Sequence, residues 1–137
     1  MSTREKFLGF LTVISLGTSF ILFLLLHQGG RSREDVVQDY VQALESENAA
    51  SIQKIAFKTS ETEELTKQKL KKLGGHQFSD LQICYNEIKP QLTIATITGN
   101  YVESSQKRSF SERVSLIYER GSFWKLYQGR WYVSLSK

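Results

Sequence analysis

The sequence predicts an α+β protein: an N-terminal transmembrane helix, then three helices and a four-stranded antiparallel curved sheet of cone-like form. Three observations predict it. Phe7–Leu26 is an uncharged run of twenty residues, and apolar side chains then recur at helical spacing between Ser32 and Leu73. From Phe78 the period changes to two, and β-branched and aromatic residues take over.

At about 1.5 Å rise per residue, a twenty-residue helix spans roughly 30 Å, the thickness of a bilayer's hydrocarbon core. The competing reading is a cleaved signal peptide, because Arg4 and Lys6 supply a basic flank. Two details favour an uncleaved anchor. The run exceeds the roughly 7–15 residues of a signal core, and Leu24-Leu25-Leu26-His27-Gln28 offers no small-x-small cleavage site. The expected organisation is a basic tail over 1–6, a transmembrane helix over 7–26 in contact with membrane lipid, a hinge over 27–31 and a soluble domain over 32–137. Arg4 and Lys6 before the anchor balance Arg31 and Arg33 after it, so charge does not orient it. The short basic tail is expected to stay cytoplasmic, which puts the domain on the non-cytoplasmic side of a bacterial inner or thylakoid-type membrane. Gly9, Thr12, Ser15 and Ser19 fall along one side of this helix and are candidate contacts for another membrane helix. The plainer alternative is that these hydroxyls bond back to their own helix carbonyls.

Residues 27–137 hold all but Arg4 and Lys6 of the 18 Lys and Arg, and all but Glu5 of the 14 Asp and Glu, a formal charge of +3. That is mildly basic and not a nucleic-acid footprint, so no nucleic-acid partner is expected. Cys84 is the single cysteine, which excludes an intrachain disulfide. Its place in Leu81-Gln82-Ile83-Cys84-Tyr85 points to a small packed side chain and not to a reactive thiol. Cys84, His27 and His76 are too few for a zinc or iron–sulfur framework, and no cofactor is expected.

Gly29-Gly30-Arg31-Ser32 reads as a short hinge. Ser32 caps a first helix with Glu34 and Asp35 in its first turn and Val36, Val37, Tyr40, Val41 and Leu44 on its apolar face. Asn48 starts a shorter helix through Ile52, Ile55, Ala56 and Phe57. Ser60-Glu61-Thr62-Glu63 fits a capping box for a third, which runs to Leu73 and is closed by Gly74-Gly75. Leu65, Leu70 and Leu73 are expected to face inward. Lys67, Lys69, Lys71 and Lys72 read as complements to the helix dipole, with a patch for anionic lipid or an acidic partner as the alternative.

The first strand covers Ser79 to Lys89, Pro90 marks the turn, and the second runs from Gln91 to Val102. Residues 104–108 form a polar hairpin loop. Strands over 109–119 and 122–133 follow, joined at Arg120-Gly121, with Gly129 a candidate bulge. Four strands joined by tight turns imply an antiparallel meander.

Val36-Val37-Gln38-Asp39-Tyr40-Val41-Gln42-Ala43-Leu44 followed by Asn48-Ala49-Ala50-Ser51-Ile52 resembles the long first helix and short second helix of nuclear transport factor two-like, cystatin-related cone domains. Gly121-Ser122-Phe123-Trp124-Lys125-Leu126 looks like their final strand, where a tryptophan packs into the cone. The resemblance covers residues 32–137 and implies the fold more than any activity. Isomerases and dehydratases of that superfamily carry an Asp or an Asp–His pair in the cone. Here the strands hold only Asp80, at their start, and no His. Glu87, Glu103, Glu112 and Glu119 show no paired spacing, and His76 reads as a solvated loop residue. No nucleophile elbow, phosphate loop or metal motif is present in the sequence.

The strongest local feature is the aromatic cluster of Tyr118, Phe123, Trp124, Tyr127, Trp131 and Tyr132. Adjacent strand residues point to opposite faces, so some of these rings must lie outside the core. Phe123, Lys125, Tyr127, Arg130, Trp131 and Tyr132 are therefore a candidate partner surface. The expected function is a non-catalytic, membrane-anchored binding module, an accessory or assembly subunit of a membrane complex. The alternative is a pocket protein that holds or transforms a small hydrophobic ligand.

Overall fold

A computed structural model describes residues 30–121 and 129–136. Residues 31–120, together with the chain from Gly129 on, form one compact unit. It contains three helices, α1 (Arg33–Glu45), α2 (Ala49–Ile55) and α3 (Thr62–Leu73). Four strands follow, β1 (Phe78–Lys89), β2 (Leu92–Glu103), β3 (Gln106–Glu119) and β4 (Arg130–Ser134). The strands pair in chain order as an antiparallel meander, so the α+β class and the curved sheet are as expected. Among the described residues no helix is long and apolar enough to cross a membrane, and residues 7–26 lie outside them.

Local chemistry accounts for the helix starts. The Ser32 hydroxyl accepts the Asp35 N–H at 3.1 Å while the Asp35 carboxylate accepts the Ser32 N–H at 3.3 Å, a reciprocal capping box that opens α1. Asn48 caps α2 through Ser51 N–H. α3 departs from expectation: it begins at Thr62 and Ser60 does not cap it. The Thr62 hydroxyl instead accepts the Thr59 N–H at 2.7 Å, so residues 59–62 close as a turn before the helix begins. α2 ends earlier than expected, because Ala56 and Phe57 leave it to run beside β4, where Phe57 N–H donates to the Val133 carbonyl at 2.7 Å. Gly75 takes the left-handed conformation at φ +76°. Its N–H bonds to Leu44 at the end of α1 and not within α3, which ties the two helix ends together.

The three helices cover one face of the sheet. Val36, Val37, Tyr40 and Leu44 of α1 and Ile52 of α2 bury against Ala95 and Ile97 of β2, Val114 and Leu116 of β3, and Val133 of β4. Ile83 and Tyr85 of β1 complete that face at half-burial, and Leu65 and Leu73 of α3 are buried while Leu70 is half-buried. Cys84 is exposed, contrary to the expectation of a packed thiol. It lies on the face of the sheet opposite the described helices, because alternation along β1 turns Cys84 away from Ile83 and Tyr85.

The hairpin loop expected over 104–108 is shorter. Ser104 and Ser105 alone form the turn, both at positive φ as a two-residue I′-type connection needs, and β3 starts at Gln106. Edges are handled differently at the two sides of the sheet. β4 is lined by Ala56 in parallel pairing and by the Arg31 carbonyl, which accepts the Trp131 N–H at 3.2 Å. β1 carries irregular register at Ser79/Gln82 and again at Glu87/Lys89. Asp80 within the first of these sits at φ +53°, bound to Lys107 and Asn100 at 3.0 Å each. Such bulges discourage edge-to-edge association. Of the fourth strand expected over 122–133, residues 122–128 lie outside the described residues.

Candidate functional site

Two places gather polar chemistry. The first is a cleft of about 320 Å³ between α1 and α2, lined by Arg31, Asp39, Gln42, Ala43, Ser46, Asn48, Ser51, Lys54 and Ile55. The sequence builds it from the polar side of α1, where Asp39, Gln42 and Ser46 recur at spacings of three and four. Asn48 and Ser51 supply the opposite wall at the start of α2, with buried Ala43 and Ile55 beneath. Arg31 and Asp39 form an ion pair at 3.4 Å, about one-third and one-half exposed, so both heads still reach solvent. A smaller recess of about 70 Å³ adjoins it, sharing Arg31, Lys54 and Ile55 and adding Arg130, Trp131 and Tyr132.

Three residues of the expected partner surface therefore meet at this second recess, but they face different ways. Trp131 lies on the inward face, packed against the core, with its ring 5.3 Å from Tyr118. Tyr132 lies on the other face and meets Phe57 edge-on at 6.3 Å. Arg130 is exposed. Gly129, a candidate bulge in the sequence, is a close-approach glycine. A side chain there would run into the Tyr118 ring and the Glu119 carbonyl. Phe123, Lys125 and Tyr127, and the candidate membrane-helix contacts Gly9, Thr12, Ser15 and Ser19, lie outside the described residues. Arg31, Asp39 and Lys54 were not singled out as site residues from the sequence. The signal that finds them is the polar stripe opposite the apolar face of α1, continued by Lys54 at the end of α2.

The second place is sealed. Glu112 of β3 points inward at 4% exposure, and Lys69 of α3 reaches it at 2.6 Å with 12% of its side chain exposed. Lys69 thus departs from its neighbours: Lys67 pairs with Glu63 one turn back at 2.9 Å, and Lys71 and Lys72 are exposed. The Tyr40 hydroxyl lies beside the Glu112 carboxylate without meeting hydrogen-bond geometry. Burial first, and then that carboxylate, raise the pKa of the phenol well above 10.0, so Tyr40 stays protonated. Thr93 is fully buried with its hydroxyl likewise unpartnered, whereas buried Thr66 donates to the Thr62 carbonyl at 2.7 Å. The cluster holds an acid, but the acid is already neutralised by a lysine. Of these two clefts and a third near Thr59 and Glu63, only the small recess touches the inward face of the sheet, through Trp131.

His76, expected as a solvated loop residue, is half-buried with its ring 4.5 Å from that of Tyr101. Among the described residues no group of three or more His, Cys, Asp or Glu is arranged to hold a metal ion.

The chain matches no known protein family and no curated protein by sequence. By shape it is similar to the crystal structure of a sec-c motif containing protein from Psychrobacter arcticus, with a TM-score of 0.59 at 9% identity over 80% of this chain. The match spans 63% of that protein, and at such low identity it concerns the fold alone.

Proposed function

We propose that this protein is a single-pass, membrane-anchored binding module without catalytic activity, acting as an accessory or assembly subunit of a larger membrane complex. The observation that carries this reading is the uncharged run Phe7–Leu26 joined by a five-residue hinge to a domain whose buried acid is paired with a lysine. A general acid or base needs a proton to give or take near its working pH and a path to substrate. Glu112 at 2.6 Å from Lys69 is poorly suited to that role. Anchoring supports a binding role instead, since confinement to a membrane raises the effective concentration of a weak surface. In this reading the partner meets the exposed side of the β4 edge, and the domain belongs with the nuclear transport factor two-like cones that it resembles.

A second reading, a pocket for a small hydrophobic ligand, draws on the unpartnered Tyr40 and Thr93 hydroxyls of the inward face. Purification of the tagged full chain from its native membranes in mild detergent separates the two. The first reading expects co-migration with a membrane complex of defined composition. A monomer carrying an apolar metabolite, lost on Thr93→Val, would overturn it in favour of the second.

A further inference from the structure

We propose that the cleft between α1 and α2 binds the headgroup of an anionic glycerolipid, with Arg31 and Lys54 on the phosphate and Asp39, Gln42, Ser46 and Asn48 on the headgroup hydroxyls. The choice of a lipid rests on the anchored reading above. Its volume of about 320 Å³ is at the lower end of the range in which small-molecule sites fall, roughly 300–1,000 Å³. Arg31, just before α1, and Lys54, near the end of α2, both line the cleft, so a phosphate bound there has two cations to meet. Asp39 also lines the cleft, and its carboxylate opposes a bare anion. The same carboxylate accepts hydrogen bonds from hydroxyls, which makes a hydroxylated phosphodiester a better match than a simple phosphate ion. The adjoining recess adds Trp131 and Tyr132, the residue types that settle at the level of lipid headgroups.

Chain length supplies the second argument. Arg31 lies five residues beyond Leu26, so at most about 18 Å of chain separates this wall of the cleft from the end of the apolar run. On the anchored reading, so short a tether raises the effective concentration of headgroups at the cleft, and a modest intrinsic affinity suffices to fill it.

The test uses the full chain in uncharged detergent micelles. It is titrated with dihexanoyl-phosphatidylglycerol, with dihexanoyl-phosphatidylcholine and with inorganic phosphate, and binding is followed by tryptophan fluorescence and thermal shift. The expected result is at least tenfold tighter binding of the phosphatidylglycerol than of the other two. Lys54→Gln is expected to weaken it about fivefold, the effect of one cation beside an anionic headgroup. Lys71→Gln, an exposed site of the same charge on α3, should change it less than twofold. Equal losses in the two variants, or no preference over phosphatidylcholine, would overturn the proposal. Inorganic phosphate binding as tightly would reassign the cleft to free phosphate and overturn the lipid. These outcomes do not depend on whether residues 7–26 remain in a membrane, which extraction of native membranes tests separately.

Discussion

The sealed pair joins α3 to β3 and the open cleft lies between α1 and α2, and the two treat ionisable side chains in opposite ways. Glu112 and Lys69 are almost fully withdrawn from water and depend on each other. Arg31 and Asp39 form a longer contact with both heads reaching solvent. Charge taken out of water is costly, and its partner chiefly offsets that cost, so the sealed pair belongs to the architecture of the fold. Charge at the open cleft carries little desolvation penalty and remains available to a ligand. A buried acid is therefore a weaker pointer to chemistry here than an arginine whose head reaches solvent.

The sharpest way to break this comparison is Lys69→Met. It leaves the Glu112 carboxylate uncompensated in the core and is expected to cost about 3–5 kcal/mol in urea denaturation. Adding Glu112→Leu to the same chain should restore most of that loss, because an apolar pair replaces an ionic one. A double variant as unstable as the single would show that the pair does more than neutralise charge.

A smaller effect is expected at the margin of the cleft. Ser32→Ala removes the capping hydroxyl of α1 next to Arg31 and should destabilise by about 1 kcal/mol, read from the same denaturation curves. The loss should appear without any change in the behaviour of the sealed pair, since the two sites share no hydrogen bond among the described residues.

Tyr40→Phe sharpens the comparison through pH. The folded-state pKa of the phenol is raised, so the unfolded chain releases this proton first, near pH 10.0. Tyr40's contribution to stability is complete below that value and declines as pH rises above it toward the folded value. Melting temperature should therefore fall more steeply between pH 9 and 11 in the wild type than in Tyr40→Phe. At neutral pH the variant should lie within about 1 kcal/mol of wild type, because the hydroxyl removed has no hydrogen-bond partner. Smallest of all is Lys54→Gln, expected to change stability by less than about 0.5 kcal/mol while it weakens headgroup binding.

Features governed by neighbours in sequence were legible, and those set by tertiary register were not. Ser32 and Asp35, three residues apart, announce their cap, and the change of period at Phe78 announces the sheet. Lys69 and Glu112 are 43 residues apart, and nothing local distinguishes either from the charges around it. Only the packing of α3 over the inward face of β3 selects them. Cys84 was misjudged for a related reason. It alternates with Ile83 and Tyr85, but the described helices pack on the face those two share, and periodicity does not say which face receives a second layer. The cleft has no local signature because its walls come from two helices and the residue preceding them. At the hairpin, Ser104 and Ser105 adopt a conformation for which Asn-Gly is the usual signal, so the sequence suggests a longer loop than the two residues that form it.

The proposal that residues 7–26 anchor this domain in lipid is tested most directly by alkaline carbonate extraction of native membranes. The account predicts that the full-length chain stays with the membrane pellet after the wash. Its recovery in the supernatant, as an intact or shortened chain, would contradict the anchor and the membrane-bound function built on it.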